Sequence, residues 1–288
     1  MSITSINRKL FSVLVLSSVV MCLLALAVLI GYSYGGLFFE HNRLQASANE
    51  IALAGARKFN DMDRIGQMNN MIARNRQLVF SGRHQLDECV SKAPGLKDLA
   101  TQLLDESRDS AKTLESQRLQ LAVVARKEAK DAVLNKFVQV QGSYAMFLPW
   151  MKVEAPSLSG WQCGRAAKVD SNVEALMAVD DLVDHDKAQD FIVGSGMKLY
   201  KHDIDAHLPG SDNDLHFRLS SLPAPVKKTI SPARIILNGN FETIAADELP
   251  SVCRVKLWLN VGTGLGPKAE GTMSCVGTAS ATGGMSQQ

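Results

Sequence analysis

The densest run of metal-ligating side chains lies between positions 180 and 216. Asp180, Asp181, Asp184, His185, Asp186 and Asp190 are followed by His202, Asp203, Asp205 and His207, then by Asp212, Asp214 and His216. Carboxylate oxygens and imidazole nitrogens are the ligands of divalent cations, and Asp184, His185, His202, Asp203 and His207 are the candidates if the fold brings these segments together. The spacing matches no EF-hand, since 180–190 holds neither the glycine of the sharp turn nor the terminal Glu. Solvated acidic loops explain the same residues with fewer requirements, so no metal and no cofactor is expected.

Cysteine is the second reactive type. Cys22 lies inside an apolar run, which leaves Cys89, Cys163, Cys253 and Cys275, with no Cys-x-x-Cys among them. A zinc ribbon or a thioredoxin-like site therefore has no support. Two disulfides are expected instead; of the three connectivities, Cys253 with Cys275, on two successive predicted strands, and Cys89 with Cys163 is favoured, and four free buried thiols are the alternative. The chain has no His-Glu-x-x-His and no Gly-x-Ser-x-Gly. The string Gly262-Thr263-Gly264-Leu265-Gly266-Pro267-Lys268 is no phosphate loop: Pro267 removes a needed N–H and Ala269 replaces the metal-binding hydroxyl, so it reads as a hairpin loop. No catalytic residue is assigned, and the chain is not expected to be an enzyme.

The elements that must carry these residues begin with the apolar run. Leu10–Ile30 holds no charge, and at 1.5 Å per residue it reaches across a hydrocarbon core of about 30 Å. Arg8 and Lys9 precede it and the first charge after it is Glu40, so the positive-inside rule puts the N-terminus in the cytoplasm and the bulk of the chain outside it. A cleaved signal peptide is the competing reading, because Ala25-Leu26-Ala27 has the small-x-small form. The run continues through Val28-Leu29-Ile30, which favours a retained anchor. The whole chain of 288 residues has 31 Lys and Arg against 29 Asp and Glu, and Arg8 and Lys9 account for the excess. The remainder is formally neutral, which disfavours nucleic acid as a partner.

Beyond the anchor the fold class is α+β: a transmembrane helix, a long antiparallel helical hairpin, then a β-rich exocytoplasmic domain. Leu44, Ala48, Ile51, Gly55, Phe59 and Met62 recur at steps of three or four, predicting one helix from Glu40 to about Val90 with a small-residue face that a partner helix could approach closely. Ala93-Pro94-Gly95 breaks it, and a second helix runs from Leu96 to about Phe137. Cys253, Val255, Leu257, Leu259 and Val261 alternate as the buried face of a strand, and 272–280 reads as its partner. Asn238-Gly239 between 234–237 and 241–244 predicts a tight hairpin. Met197–Tyr200 and Leu215–Leu219 are further strand candidates, and Val173–Val183 a short helix. The boundaries are 1–9 cytoplasmic, 10–30 transmembrane, 31–137 helical, 138–281 β-rich and 282–288 a polar tail.

Residues 42–57, Asn-Arg-Leu-Gln-Ala-Ser-Ala-Asn-Glu-Ile-Ala-Leu-Ala-Gly-Ala-Arg, carry a resemblance. They are similar to the pattern Gln-x-Ala-(x)n-Ala-Leu-Ala-Gly-Ala that follows the transmembrane helix of tight-adherence (Tad) pilus assembly proteins of the TadE/TadG type. The resemblance covers roughly residues 8 to 60. It implies a pilin-like or accessory component of a pilus or secretion apparatus in the bacterial inner membrane, with no catalytic residues. The Arg-Gly-x-Ala-x-Val-Glu opening and the Asp-x-Ser-x-Ser metal motif of larger members are missing, so neither prepilin-peptidase cleavage nor a von Willebrand A metal site is implied. The expected partners are other membrane or pilus components, with self-association through the helices as a further possibility. An exocytoplasmic sensor or ligand-binding module on one transmembrane helix is the alternative function, weakened by a cytoplasmic tail too short to hold a signalling domain.

Overall fold

The computed structural model describes residues 3–144, 152–166, 204–206, 215, 217–219, 233–262 and 270–281. Helix α1 (Ile3–Phe59) carries the apolar run and the small-residue segment without interruption. At 1.5 Å per residue it extends on the order of 85 Å. The one helix expected from Glu40 to Val90 is in fact two, and Asn60 explains the break. Its Oδ1 accepts from the Ile65 N–H at 2.8 Å, satisfying a donor left open at the start of the next helix, and its Nδ2 donates to Asp63 Oδ1 at 3.1 Å. Met62 and Asp63 turn through the left-handed region, with φ of 55° and 56°. Helix α2 (Arg64–Lys92) then runs to the expected breaker at Ala93-Pro94-Gly95, and α3 (Lys97–Ser143) continues past Phe137.

Helix α3 runs back along both earlier helices. Lys136 Nζ meets Glu50 at 2.6 Å, Arg64 meets Glu128 at 2.8 Å, and Asn75 Nδ2 donates to the Ser107 carbonyl at 3.2 Å. One sequence number rises along the helices as the other falls, which is the antiparallel hairpin expected from the sequence with a kink in its first arm.

The sheet contains β1 (Lys152–Val153), β2 (Ser157–Ala166), β5 (Ala233–Ile235), β6 (Phe241–Thr243), β7 (Val252–Gly262) and β8 (Glu270–Ala281). Its order is β5-β8-β7-β2-β6, with β1 pairing the far end of β7, and every pair is antiparallel. A separate two-stranded pair joins β3 (Ile204–Ala206) to β4 (Phe217–Leu219). The alternation read from Cys253 to Val261 holds, with each of those five apolar side chains buried. The tight hairpin expected around Asn238-Gly239 does not form. Strands β5 and β6 lie at opposite edges of the sheet, and Asn238–Asn240 is a short 3-10 turn between them. Three of the five linking residues lie in that turn, at about 2 Å each, so the link reaches roughly 16 Å, less than the four strand spacings of about 4.8 Å between flat edges, and the sheet must curl.

Helix α1 lies on the concave face so formed. A Cβ placed on Gly277 of β8 would stand 2.3 Å from the Ala48 carbonyl carbon and oxygen, and one on Gly55 would stand 2.7 Å from Cys253 Sγ and from Val133 Cγ2. Glycine at these positions is what lets helix backbone and sheet backbone approach. Leu44, Ala48, Ile51, Ala52, Ala56 and Phe59 are wholly buried, in one cluster with Val255, Leu257 and Leu259 of β7 and Ala122, Ala125 and Val133 of α3. Burial of each Leu or Phe in such a cluster contributes about 1.5–3 kcal/mol. The small-residue face read as a seat for a partner helix is thus covered from within the chain, by α3 and by the sheet.

Candidate functional site

The residues of α1 divide sharply in environment. From Val13 to Ile30 its large apolar side chains stand exposed, Val28 and Ile30 among them, and this is one helix long and apolar enough to cross a membrane. From Glu40 onward the helix is packed. A group of polar residues marks the change: Glu40, only 1% exposed, accepts a hydrogen bond from Tyr144 Oη at 3.1 Å, and Arg43 Nη1 lies 4.0 Å from its other oxygen. Arg43 also stacks 4.2 Å from the Tyr144 ring centre and donates to the Ser143 carbonyl at 3.2 Å, placing a cation at the C-terminal end of α3 where the carbonyls are unpaired. Burial and the neighbouring Glu40 carboxylate push the Tyr144 phenol well above its usual range, so it stays a donor. The arrangement pins the last turn of α3 to α1 at the point where the apolar stretch ends.

Cys275 of β8 joins this group. Its Sγ is 3.5 Å from His41 Nδ1 and 3.8 Å from the His41 carbonyl oxygen. A thiol beside an imidazole is the arrangement of a nucleophilic cysteine, but such chemistry needs the thiolate. Burial pushes the Cys275 thiol up instead, and only 3% of the residue is exposed. The pair packs helix to sheet.

Two arginines of α3 hold the connection between β6 and β7. Arg126 donates to the carbonyls of Ala245 at 2.7 Å, of Glu248 at 2.8 Å and of Ala246, while Arg118 donates to the Asp247 carbonyl at 3.0 Å. Arg118 is 1% exposed and also forks onto Glu115 at 2.8 and 2.7 Å. Four successive carbonyls without strand partners are satisfied in this way.

Neither expected disulfide is formed. Cys22, Cys89, Cys163, Cys253 and Cys275 all carry free thiols. Cys253 and Cys275 do lie on neighbouring strands, but the register sets Cys253 opposite Ala279 and Cys275 opposite Leu257, four positions or roughly 13 Å apart. Cys89 lies in the last turn of α2, beside the start of α3, whereas Cys163 is beside Arg126. The stretch of α3 between Lys97 and Arg126 keeps them on the order of 40 Å apart. Two adjacent strands by themselves specify neither register nor which residues face each other.

Asp184, His185, His202, Asp203 and His207 lie outside the described residues, as do the segments read as strand 197–200 and helix 173–183. Among the described residues no three His, Cys, Asp or Glu side chains are grouped to hold a metal ion. The junction of Glu40, His41, Arg43, Tyr144 and Cys275 was not anticipated as a group. Glu40 and Arg43 share a helix face at a spacing of three, but nothing local signals Tyr144 or Cys275, more than a hundred residues away. Comparison of the chain with protein-family models, with curated proteins and with solved structures finds no match.

Proposed function

We propose that this chain is a non-catalytic, membrane-anchored structural or assembly component of a pilus or secretion apparatus, similar to tight-adherence proteins of the TadE/TadG type. In this reading the apolar part of α1 sits in the bacterial inner membrane with the N-terminus in the cytoplasm. The carrying observation is that α1 is one unbroken helix whose stretch from Val13 to Ile30 is exposed and apolar and whose part after Glu40 is the central element of the folded domain. A helix shared in this way transmits position and force rigidly from membrane to domain, as an assembly part requires and a flexibly tethered binding module does not. A second feature supports contacts with other proteins. Leu119, Val123, Leu134 and Val138 of α3 are exposed and, at 100° per residue, share an arc of about 100° on the outer side of the hairpin.

The test is purification of the full chain from its native membrane in mild detergent after chemical cross-linking, alongside the double variant Val123→Lys/Val138→Lys. Recovery of prepilins or secretion-machinery subunits, lost in the variant, is expected. Recovery of the chain alone, or its presence in the soluble fraction after carbonate extraction, would overturn the proposal.

A further inference from the structure

We infer that Cys163 and Cys253 form a cross-strand dithiol that closes into a disulfide by exchange with an external disulfide, tying β2 covalently to β7. The two residues are direct partners in the antiparallel β2–β7 pair. Hydrogen bonds around them decide the kind of pair. The Ile236 N–H of the β5 side donates to the Thr278 carbonyl, which leaves Ala279 to face β7, and the Glu154 N–H next to β1 donates to the Asn260 carbonyl on the β1 and β2 side of β7. With Val252 opposite Ser280 and Cys253 opposite Ala279, odd-numbered residues of β7 turn their backbone polar groups toward β8 and even-numbered ones toward β2. Cys253 is therefore at a non-hydrogen-bonded position with respect to Cys163. Opposing Cα atoms there are about 4.5 Å apart, inside the span of roughly 4.4–6.8 Å that a disulfide bridges.

Both thiols lie on the helix-facing side. Cys253 Sγ, with Val133, fills the space that a side chain on Gly55 would take, and Cys163 lies beside the Arg126 guanidinium of α3. Cys253 is buried and Cys163 only partly so, which sets the order of events. The Cys163 thiol gives up its proton and attacks one sulfur of the external disulfide, releasing one external thiol and leaving a mixed disulfide. Cys253 then loses its proton and attacks the Cys163 sulfur, expelling the second external thiol. Two cysteine thiols are oxidised and one external disulfide is reduced to two thiols. Burial raises the Cys253 thiol far above its ordinary value, so the second step is the slow one. The bridge would enclose residues 163–253, and closing a loop of that length is expected to raise the melting temperature by on the order of 10 °C. The inference is independent of the assembly role.

The test uses the full chain, purified in mild detergent, fully reduced and then equilibrated with oxidised glutathione. Remaining thiols are capped with N-ethylmaleimide under denaturing conditions, and the protein is digested with trypsin without reduction. Each cysteine after Cys22 falls in a different tryptic peptide: 84–92, 153–165, 235–254 and 269–288. Peptides 153–165 and 235–254 joined by a disulfide are expected, with Cys89 and Cys275 outside the joined pair. Maleimide on both Cys163 and Cys253, glutathione on Cys163 with no link to Cys253, or either residue joined to Cys89 or Cys275 would each overturn the inference. The Cys253→Ser variant should hold Cys163 as its glutathione adduct; the wild-type map decides the matter if that variant fails to fold.

Discussion

Replacing Gly277 by alanine tests the packing that unites the long N-terminal helix and the sheet. The new methyl carbon would stand 2.3 Å from the carbonyl carbon and oxygen of Ala48 and 2.6 Å from the Asn49 nitrogen. Ordinary contact begins near 3.4 Å, so α1 and β8 must separate by about 1 Å. The obstacles are backbone atoms inside a helix, which cannot turn aside as a side chain does. Overpacking of this kind costs about 1–3 kcal/mol, and a backbone clash belongs at the upper end. The separation also strains the bond from Gln45 Nε2 to the Val276 carbonyl, 2.9 Å long, for a further loss of about 1 kcal/mol. A total near 3 kcal/mol corresponds to a fall in melting temperature of roughly 6–12 °C for a chain of this size. Gly142→Ala is the control: it lies in α3 with nothing within 4 Å of the added carbon, and helix propensity alone should leave the protein unchanged or more stable by up to about 1 kcal/mol. Both are read by thermal unfolding of the full chain in detergent, followed by circular dichroism. If Gly277→Ala melts within about 2 °C of the parent, α1 does not lie on β8 at this depth and the shared core is wrong.

Two further perturbations address the polar contacts. Arg118→Ala strands the Glu115 carboxylate and the Asp247 carbonyl and leaves a cavity, so a loss of about 3 kcal/mol is expected in urea unfolding. Arg118→Lys, which keeps the charge without the fork, should fall between. Asp247 is held below its ordinary value of 3.8 by the hydrogen bond from Arg218 of β4, with its own backbone N–H and the charges of Arg218 and Arg118 adding to the effect. Because the folded value is the lower one, this contribution is complete above pH 3.8 and is lost as pH falls through the folded value. Arg218→Ala should therefore flatten the acid side of the stability profile, and an unchanged slope would show that the pair does not persist in solution.

The elements themselves were largely legible in the residues. An uncharged run followed by small residues at steps of three and four describes α1, and strict alternation from Cys253 to Val261 describes β7, because both patterns follow from helix and strand periodicity alone. The kink was less visible. Nothing in 60–63 is glycine or proline, and the turn depends on Asn60 bonding both Ile65 and Asp63. The strand pairing around Asn238-Gly239 was not legible there. Asn238-Gly239 is a strong local turn signal, yet β5 finds β8 and β6 finds β2 because burial across the curled sheet outweighs a two-residue preference.

Composition and periodicity determined that the chain is an α+β protein with an apolar N-terminal helix and no recognisable catalytic motif. Only the tertiary structure decided what its reactive and small residues face. Ala48 and Gly55 meet the chain's own sheet, Cys275 meets His41, and Cys163 meets Cys253. The physical reason is that a side chain's face is set by local period, whereas its neighbour across a sheet is set by register, which depends on burial summed over residues far apart in the chain.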